Sequence, residues 1–276
     1  MLPDFIVIGP AKAGSRWIYE CLREHPSICM AKNTKGTRFF ERYYDRGIGW
    51  YANFFKHCDN DLIKGEVDET YISCPEAAER IYRHIPDVKL ITCLRNPIDR
   101  TFSAYLYFSR MGIIKESFET ALDSYRKILI SDTLYYDHLS NYLKYFPKDN
   151  ILIMLFDDLE KNSAQFIEKI YGFLSIDTTF KPSVLHARIN IAKEPRSRIL
   201  NKIAIKTSLL LRKWDMLGPY YKIRNSRLLQ KILFSRAYGK NYPRMSEATR
   251  KRLQEEYKSQ INRLSDLLER DLSHWK

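Results

Sequence analysis

The sequence predicts an α/β fold, a P-loop-like central parallel sheet flanked by helices, with a mostly helical C-terminal part. Three observations carry this. Apolar, β-branched runs recur at 4–8, 88–94 and 151–156. Each is followed by apolar residues at helical spacing. The first two junctions carry Gly-Pro and Asn-Pro, which end a strand and open a helix.

Asp4 to Ile8 (DFIVI) reads as a buried strand ended by Gly9-Pro10. Ile18, Cys21 and Leu22 then mark a helix over Ser15 to Arg23, stopped by His25-Pro26. Val88 to Leu94 is the second strand, and Asn96-Pro97 is the cap and first turn of a helix carrying Ile98, Phe102, Tyr105 and Leu106. Ile151 to Phe156 is the third strand, with a helix over Ala164 to Leu174 behind it. Glu247 to Leu272 reads as a long C-terminal helix, with Leu253, Tyr257, Ile261, Leu264 and Leu268 on one stripe. Alternating strands and helices imply a parallel sheet with its ligands at the strands' carboxyl ends. No repeat or low-complexity linker divides the chain, so 1–276 is expected to form one domain.

The 276 residues, 45% hydrophobic and 13% aromatic, can bury a substantial core. Lys plus Arg number 46 against 33 acidic residues, a formal net charge of +13 that favours anionic ligands. The basic residues are scattered, so nucleic acid is not an expected partner. The cysteines, Cys21, Cys29, Cys58, Cys74 and Cys93, are odd in number and lack a C-x-x-C pair, which speaks against a zinc site or a disulfide framework. A reducing cytoplasm is the expected compartment. No leader-like or membrane-spanning run is visible. The basic and apolar stretch from Ile199 to Tyr221 fits a helix packed on the core, with a membrane-surface contact through 199–221 as the alternative. No feature sets an oligomeric state.

The first loop, Gly9-Pro10-Ala11-Lys12-Ala13-Gly14-Ser15-Arg16, follows a strand and opens a helix. That placement aims backbone N–H groups and the positive helix end at one point, and small residues allow an anion close approach. Gly9 and Gly14 have the G-x-x-x-x-G spacing of a Walker loop, but Ser15 stands where that loop has its lysine, and the lysine comes earlier, at Lys12. The departure counts against an ordinary kinase. A second loop, Leu94 to Ser103, begins at the end of the second predicted strand and brings Arg95 and Ser103 to the same sheet edge, a pair suited to a phosphate monoester.

With both loops in view, the chain resembles the PAPS-dependent sulfotransferases, in particular the bacterial and heparan-sulfate-type branch. Lys12-Ala13-Gly14-Ser15 match its K-x-G-T/S loop for the 5′-phosphosulfate. Leu94-Arg95-Asn96-Pro97, Arg100 and Ser103 match its L-R-N/D-P…R-x-x-S segment for the 3′-phosphate. Gly65-Glu66 and Tyr71 match a G-E-x-x-x-x-Y segment. Gly239-Lys240-Asn241-Tyr242-Pro243 look like a degenerate form of the branch's late cofactor loop, and Arg270 to Trp275 look like its R-D-L-S-x-W ending.

The resemblance implies PAPS as donor, PAP (adenosine 3′,5′-bisphosphate) as product, and no metal. It implies that Lys12, Ala13, Gly14, Ser15, Arg16, Trp17, Arg95, Ser103, Gly239, Lys240, Asn241 and Tyr242 bind the cofactor. Lys12 and the N–H groups of Gly14 to Trp17 would meet the charge that develops on the leaving phosphate. The branch often draws its general base from a K-E-x-x-F-F segment, which here reads Lys35-Gly36-Thr37-Arg38-Phe39-Phe40. Gly36 takes no proton. Glu66 and Asp68 are the expected replacements, with Glu41 and His57 as further candidates. An acceptor that needs little base, or a catalytically silent site, would equally account for the glycine. The aromatic and basic stretch Arg38 to Phe55 has the composition of a sugar-binding wall, or of ordinary core. A glycan, glycolipid or hydroxylated small molecule is the expected acceptor. A non-catalytic PAP- or glycan-binding homologue and a P-loop small-molecule kinase are the alternatives.

Overall fold

The computed structural model describes residues 1–187 and 244–275, and between them only short stretches. The elements run β1 (Phe5–Gly9), α1 (Ser15–Glu24), β2 (Ile28–Met30), α2 (Phe39–Arg42), α3 (Gly47–Ala52), β3 (Ile63–Val67), α4 (Ala77–His84), β4 (Lys89–Leu94) and α5 (Pro97–Arg110). There follow α6 (Phe118–Ser124), α7 (Arg126–Leu129), α8 (Tyr135–Tyr142), β5 (Ile151–Leu155), α9 (Phe156–Lys161), α10 (Ser163–Leu174), the antiparallel pair β6 (Lys193–Pro195) and β7 (Phe234–Ala237), and α11 (Glu247–Leu268).

The main sheet has five strands in the order β2-β3-β1-β4-β5, every neighbouring pair parallel. The central strand β1 alternates its side chains between two cores. Phe5 and Val7 face Trp17, Ile18, Ile91, Cys93 and Phe166, whereas Ile6 and Ile8 face Leu90, Leu94, Ile98 and Tyr71. Because both faces are covered, β1 reads as a continuous apolar run. The expected strands and helices are present within a residue or two, and Asn96 caps α5 by accepting from Ile98 N at 3.0 Å.

Two strands have no counterpart among the expected elements. β2 is only three residues long. β3 reads IKGEV, with Lys64 and Glu66 inside it, yet both are buried. Lys64 Nζ donates to the carbonyls of Asn60 and Leu62, and Glu66 is enclosed by hydroxyls, so the polar groups of this strand are satisfied locally. The long C-terminal helix ends earlier than expected, at Leu268, because Glu269 turns to φ 51 and closes it.

The expectation for the cysteines needs correction. Cys29 and Cys58 form a disulfide with a Cα–Cα distance of 5.7 Å, leaving Cys21, Cys74 and Cys93 as buried thiols. Twenty-nine residues separate the pair, and no local spacing announces it. The cysteines therefore give no ground for a reducing compartment. Most of 199–221, including much of the stretch considered for membrane contact, lies outside the described residues. Among those described, no helix is long and apolar enough to cross a membrane.

A Cβ added at Gly65 would lie 2.1 Å from the Phe5 ring, whereas one at Gly49, within α3, meets nothing within 4 Å. Gly65→Ala is expected to destabilise by about 1–3 kcal/mol through overpacking. Gly49→Ala is expected to be neutral or stabilising by up to about 1 kcal/mol. Urea unfolding of the two variants checks both.

Candidate active site

β1 and β4 are neighbours in the sheet, so the loops that leave their carboxyl ends open side by side. The first loop holds Gly9 at φ 111, Lys12 at φ 72 and Gly14 at φ 88, with Gly14 the N-cap of α1. The left-handed turns let the chain fold back under the helix start, where the first-turn N–H groups have no intrahelical acceptor. Two arginines fix the loop from the other side. Arg100 Nε donates to Ala11 O at 3.2 Å, and Arg95 Nη1 donates to Lys12 O at 3.3 Å. Arg100 is buried and also serves the carbonyls of Ile128 and Leu129 and the hydroxyl of Thr133, which makes it an anchor of the loop.

Lys12 is the most perturbed cation of the site. Burial pushes its pKa down to about 8, and the charges of Arg110, Arg95 and Arg100 add to the shift. Its Nζ lies 4.9 Å from the centre of the Tyr107 ring, over which Arg110 also sits. Arg100, Ser103, Tyr107 and Arg110 fall at i, i+3, i+7 and i+10 of α5, one helical face turned to the loop. Ser103 thus shares the face that carries Tyr107 to Lys12. Arg95 stacks on Phe156 at 4.8 Å, and Phe156 and Leu159 of α9 close the other side of Gly14.

The remaining cofactor-loop residues divide. Ala13 and Ser15 are buried in the loop itself. Arg16 pairs with Glu20 at 2.7 Å and lies against Tyr19. The Trp17 side chain belongs to the core, donating to Val184 O and meeting Phe166 edge-on, so only its backbone N–H is left to face the loop. Gly239, Lys240, Asn241 and Tyr242 lie outside the described residues.

The expected bases are built into the wall. Glu66 is inaccessible; its carboxylate accepts from Thr37 N at 2.7 Å, Tyr51 Oη at 2.8 Å and Tyr71 Oη at 3.1 Å. Burial, and then the charge of Asp68, push its pKa up to about 7 against those bonds. Asp68 is also buried, accepting from Arg38 N at 2.6 Å and from Thr70 N and Oγ1. Together the two carboxylates pin the 35–40 segment on the end of β3, which the Val67 N to Lys35 O bond continues. Arg38 is held there at φ 57. Neither carboxylate is placed to meet an acceptor. Glu41 faces Arg38, 3.2 Å from its Nε. His57 lies at the opposite end of the sheet: it touches Cys29, whose register partner is Lys64, near the amino end of β3.

Sequence reasoning missed Glu69 and Lys35. These two are ion-paired beside the loop; Ser15 Oγ donates to Glu69 Oε2 at 3.3 Å and Lys35 Nζ lies 3.3 Å from Ser15 Oγ. Tyr107 and Arg110 were also missed, although their i+4 and i+7 spacing from Ser103 is legible. The expected sugar-binding wall splits. Phe39, Phe40 and Phe55 are core, while Tyr43 and Trp50 stay partly exposed with Arg46 about equally near both rings, at 5.1 and 5.0 Å.

Comparison with known proteins decides the family: the model of the sulfotransferase domain matches residues 2–216. The chain belongs to the sulfotransferase family. It is 30% identical over 183 residues to mouse heparan sulfate glucosamine 3-O-sulfotransferase 6, covering 63% of this chain and 52% of that protein. It is 31% identical over 196 residues to human bifunctional heparan sulfate N-deacetylase/N-sulfotransferase 2, covering 63% of this chain and 22% of that one. The chain thus spans about half, or less, of the curated relatives it matches. A sulfotransferase from Alicyclobacillus acidocaldarius superposes over 100% of this chain and 99% of its own with a TM-score of 0.73 at 22% identity, which shows the shared fold.

Glu66→Ala leaves three buried donors without an acceptor, at about 1–3 kcal/mol each. Its expected cost is about 3–5 kcal/mol in urea unfolding at any pH. Glu66→Gln keeps an acceptor and carries no charge. The raised pKa of Glu66 means that its contribution to stability is full below pH 4.5 and is lost as pH rises through about 7. Glu66→Gln is therefore expected to lose less stability, relative to the parent chain, at about pH 8.5 than at about pH 4.5, and measurement at both values checks the sign.

Proposed function

We propose that this chain is a PAPS-dependent sulfotransferase, moving a sulfuryl group to a hydroxyl or amine of a glycan, glycolipid or hydroxylated small molecule. One observation carries the reading: a lysine pushed toward neutrality by burial and by three guanidinium charges, beside a left-handed glycine that opens a helix. Cations crowded this way repel one another until an anion arrives, and the helix start adds N–H donors toward the same point. The residues fit a donor with a phosphosulfate at one end and a phosphate at the other. Lys12 and the N–H groups of Gly14 to Trp17 hold the phosphosulfate, and Arg95 and Ser103 hold the 3′-phosphate. Lys12 stabilises the charge that gathers on the leaving phosphate. Glu66 and Asp68 act by position, holding the 35–40 segment against β3.

The acceptor class draws support from the relatives, whose names are those of heparan sulfate sulfotransferases. It draws support too from the Tyr43, Arg46 and Trp50 surface, where rings and guanidinium suit a sugar bearing acidic groups.

Thermal unfolding tests the donor. PAP at about 100 times its dissociation constant is expected to add about 2.7 kcal/mol of stability, with no matching effect of ATP. Lys12→Ala is expected to reduce the PAP effect, and equal shifts with PAP and ATP would sink the reading.

Proton linkage tests Lys12 directly. Its lowered pKa means that the empty protein carries a destabilising charge below about pH 8, which is relieved as pH rises toward 10.5. A bound polyanion restores the charge, so PAP binding at about pH 8 is expected to take up about half a proton, and close to none at about pH 6. Calorimetry in buffers of different ionisation enthalpy reads the uptake, and Lys12→Ala is expected to abolish it.

A further inference from the structure

The segment in which the branch carries its base has none here, and no side chain fits there. A Cβ built on Gly36 would lie 2.7 Å from both Asp68 Oδ2 and Val67 O, and 2.8 Å from Asp68 Cα. Two of these are backbone atoms, so the neighbours cannot swing away. A proton acceptor for this site must come from elsewhere.

We propose that Glu69 is the general base of the transfer; the proposal rests on the PAPS-dependent reading. Glu69 meets three requirements together. It adjoins the phosphosulfate loop, since Ser15, the first residue of α1, donates to its Oε2 at 3.3 Å. It is accessible, with 28% of its side chain exposed, whereas Glu66 and Asp68 are buried. It is held in place from two sides. Lys35 pairs with its carboxylate, and its carbonyl packs so closely on Gly9 that a Cβ there would lie 2.6 Å away. The backbone of Glu69 is thus fixed against the loop that binds the donor, and its side chain reaches the loop's hydroxyl.

The acceptor's hydroxyl oxygen attacks sulfur, and its proton passes to the Glu69 carboxylate. The bond from sulfur to the bridging oxygen breaks, and that electron pair stays on the 5′-phosphate of PAP. The products are the sulfate ester, PAP and one proton, which Glu69 releases to solvent. Lys35 keeps Glu69 ionised between turnovers and orients it toward Ser15. The same assignment gives Gly36 a purpose: the space an acid would fill there is taken by the end of β3, and the acid has moved along the loop that leaves that strand.

The test follows PAP release from PAPS, with N-sulfated heparan oligosaccharide and water as acceptors, in the parent chain, Glu69→Gln and Glu69→Ala. Thermal stabilisation by PAP is recorded for each. A general base is typically worth about 10²–10⁴-fold. Both variants are expected to keep the PAP stabilisation and to lose PAP release by about 100-fold or more. Added formate is expected to restore release in Glu69→Ala, which a merely structural loss would not allow. A loss smaller than about tenfold, a loss that formate does not relieve, or a parent chain that binds PAP and releases none from PAPS overturns the assignment while the donor site stands. A parent chain that PAP does not stabilise overturns the donor reading, and the assignment with it.

Discussion

The site depends on a close meeting of backbones at the carboxyl end of the central strands. Gly9 touches the carbonyl of Glu69, and Gly36 touches the end of β3 at Val67 and Asp68. Neither contact leaves room for a Cβ, and Gly9 also stands at φ 111, where L-residues are strained. The phosphate loop, the segment after β2 and the loop after β3 are thereby drawn together into one wall. Lys12, Lys35 and Glu69 share that wall because of this packing.

The wall is stabilised by polar groups that look functional in isolation. Glu66 collects a backbone N–H and two tyrosine hydroxyls, and Asp68 collects the N–H groups of Arg38 and Thr70. Burying two neighbouring carboxylates costs free energy, and the raised pKa of Glu66 is the sign of that cost. The bonds they make offset it and fix the 35–40 segment in a single conformation. Arg100 does the same for the first loop: a buried cation bonded to four protein acceptors holds the loop, leaving Lys12 and Arg95 for the ligand.

The C-terminal part acts on the site through α9. Arg270 makes two 2.6 Å contacts to Asp158, and Trp275 Nε1 donates to Asp157. Those aspartates open α9, whose Phe156 packs on both Gly14 and Arg95. Tyr257 of α11 meets Thr101 of α5 at 2.6 Å, which holds the arginine-bearing helix against the rest of the core. The tail therefore braces the donor loops although it contributes no side chain to them among the described residues.

By itself the sequence determined the strands β1, β4 and β5, the helices behind them, and the two loops with Lys12, Gly14, Arg95 and Ser103. These are local signals: an apolar run, a glycine or Asn-Pro junction, and spacing along one helix. It also determined that Gly36 lacks a proton acceptor. Only the tertiary structure decided what Glu66 and Asp68 do, because their roles depend on Tyr51, Tyr71, Thr37 and Arg38 arriving from other segments. It alone revealed β3, whose buried Lys64 and Glu66 hide the strand pattern, and the Cys29–Cys58 disulfide, whose partners lie far apart in the chain. It alone placed Glu69 beside Ser15, since 54 residues separate the two and only backbone contact at glycine brings them within reach.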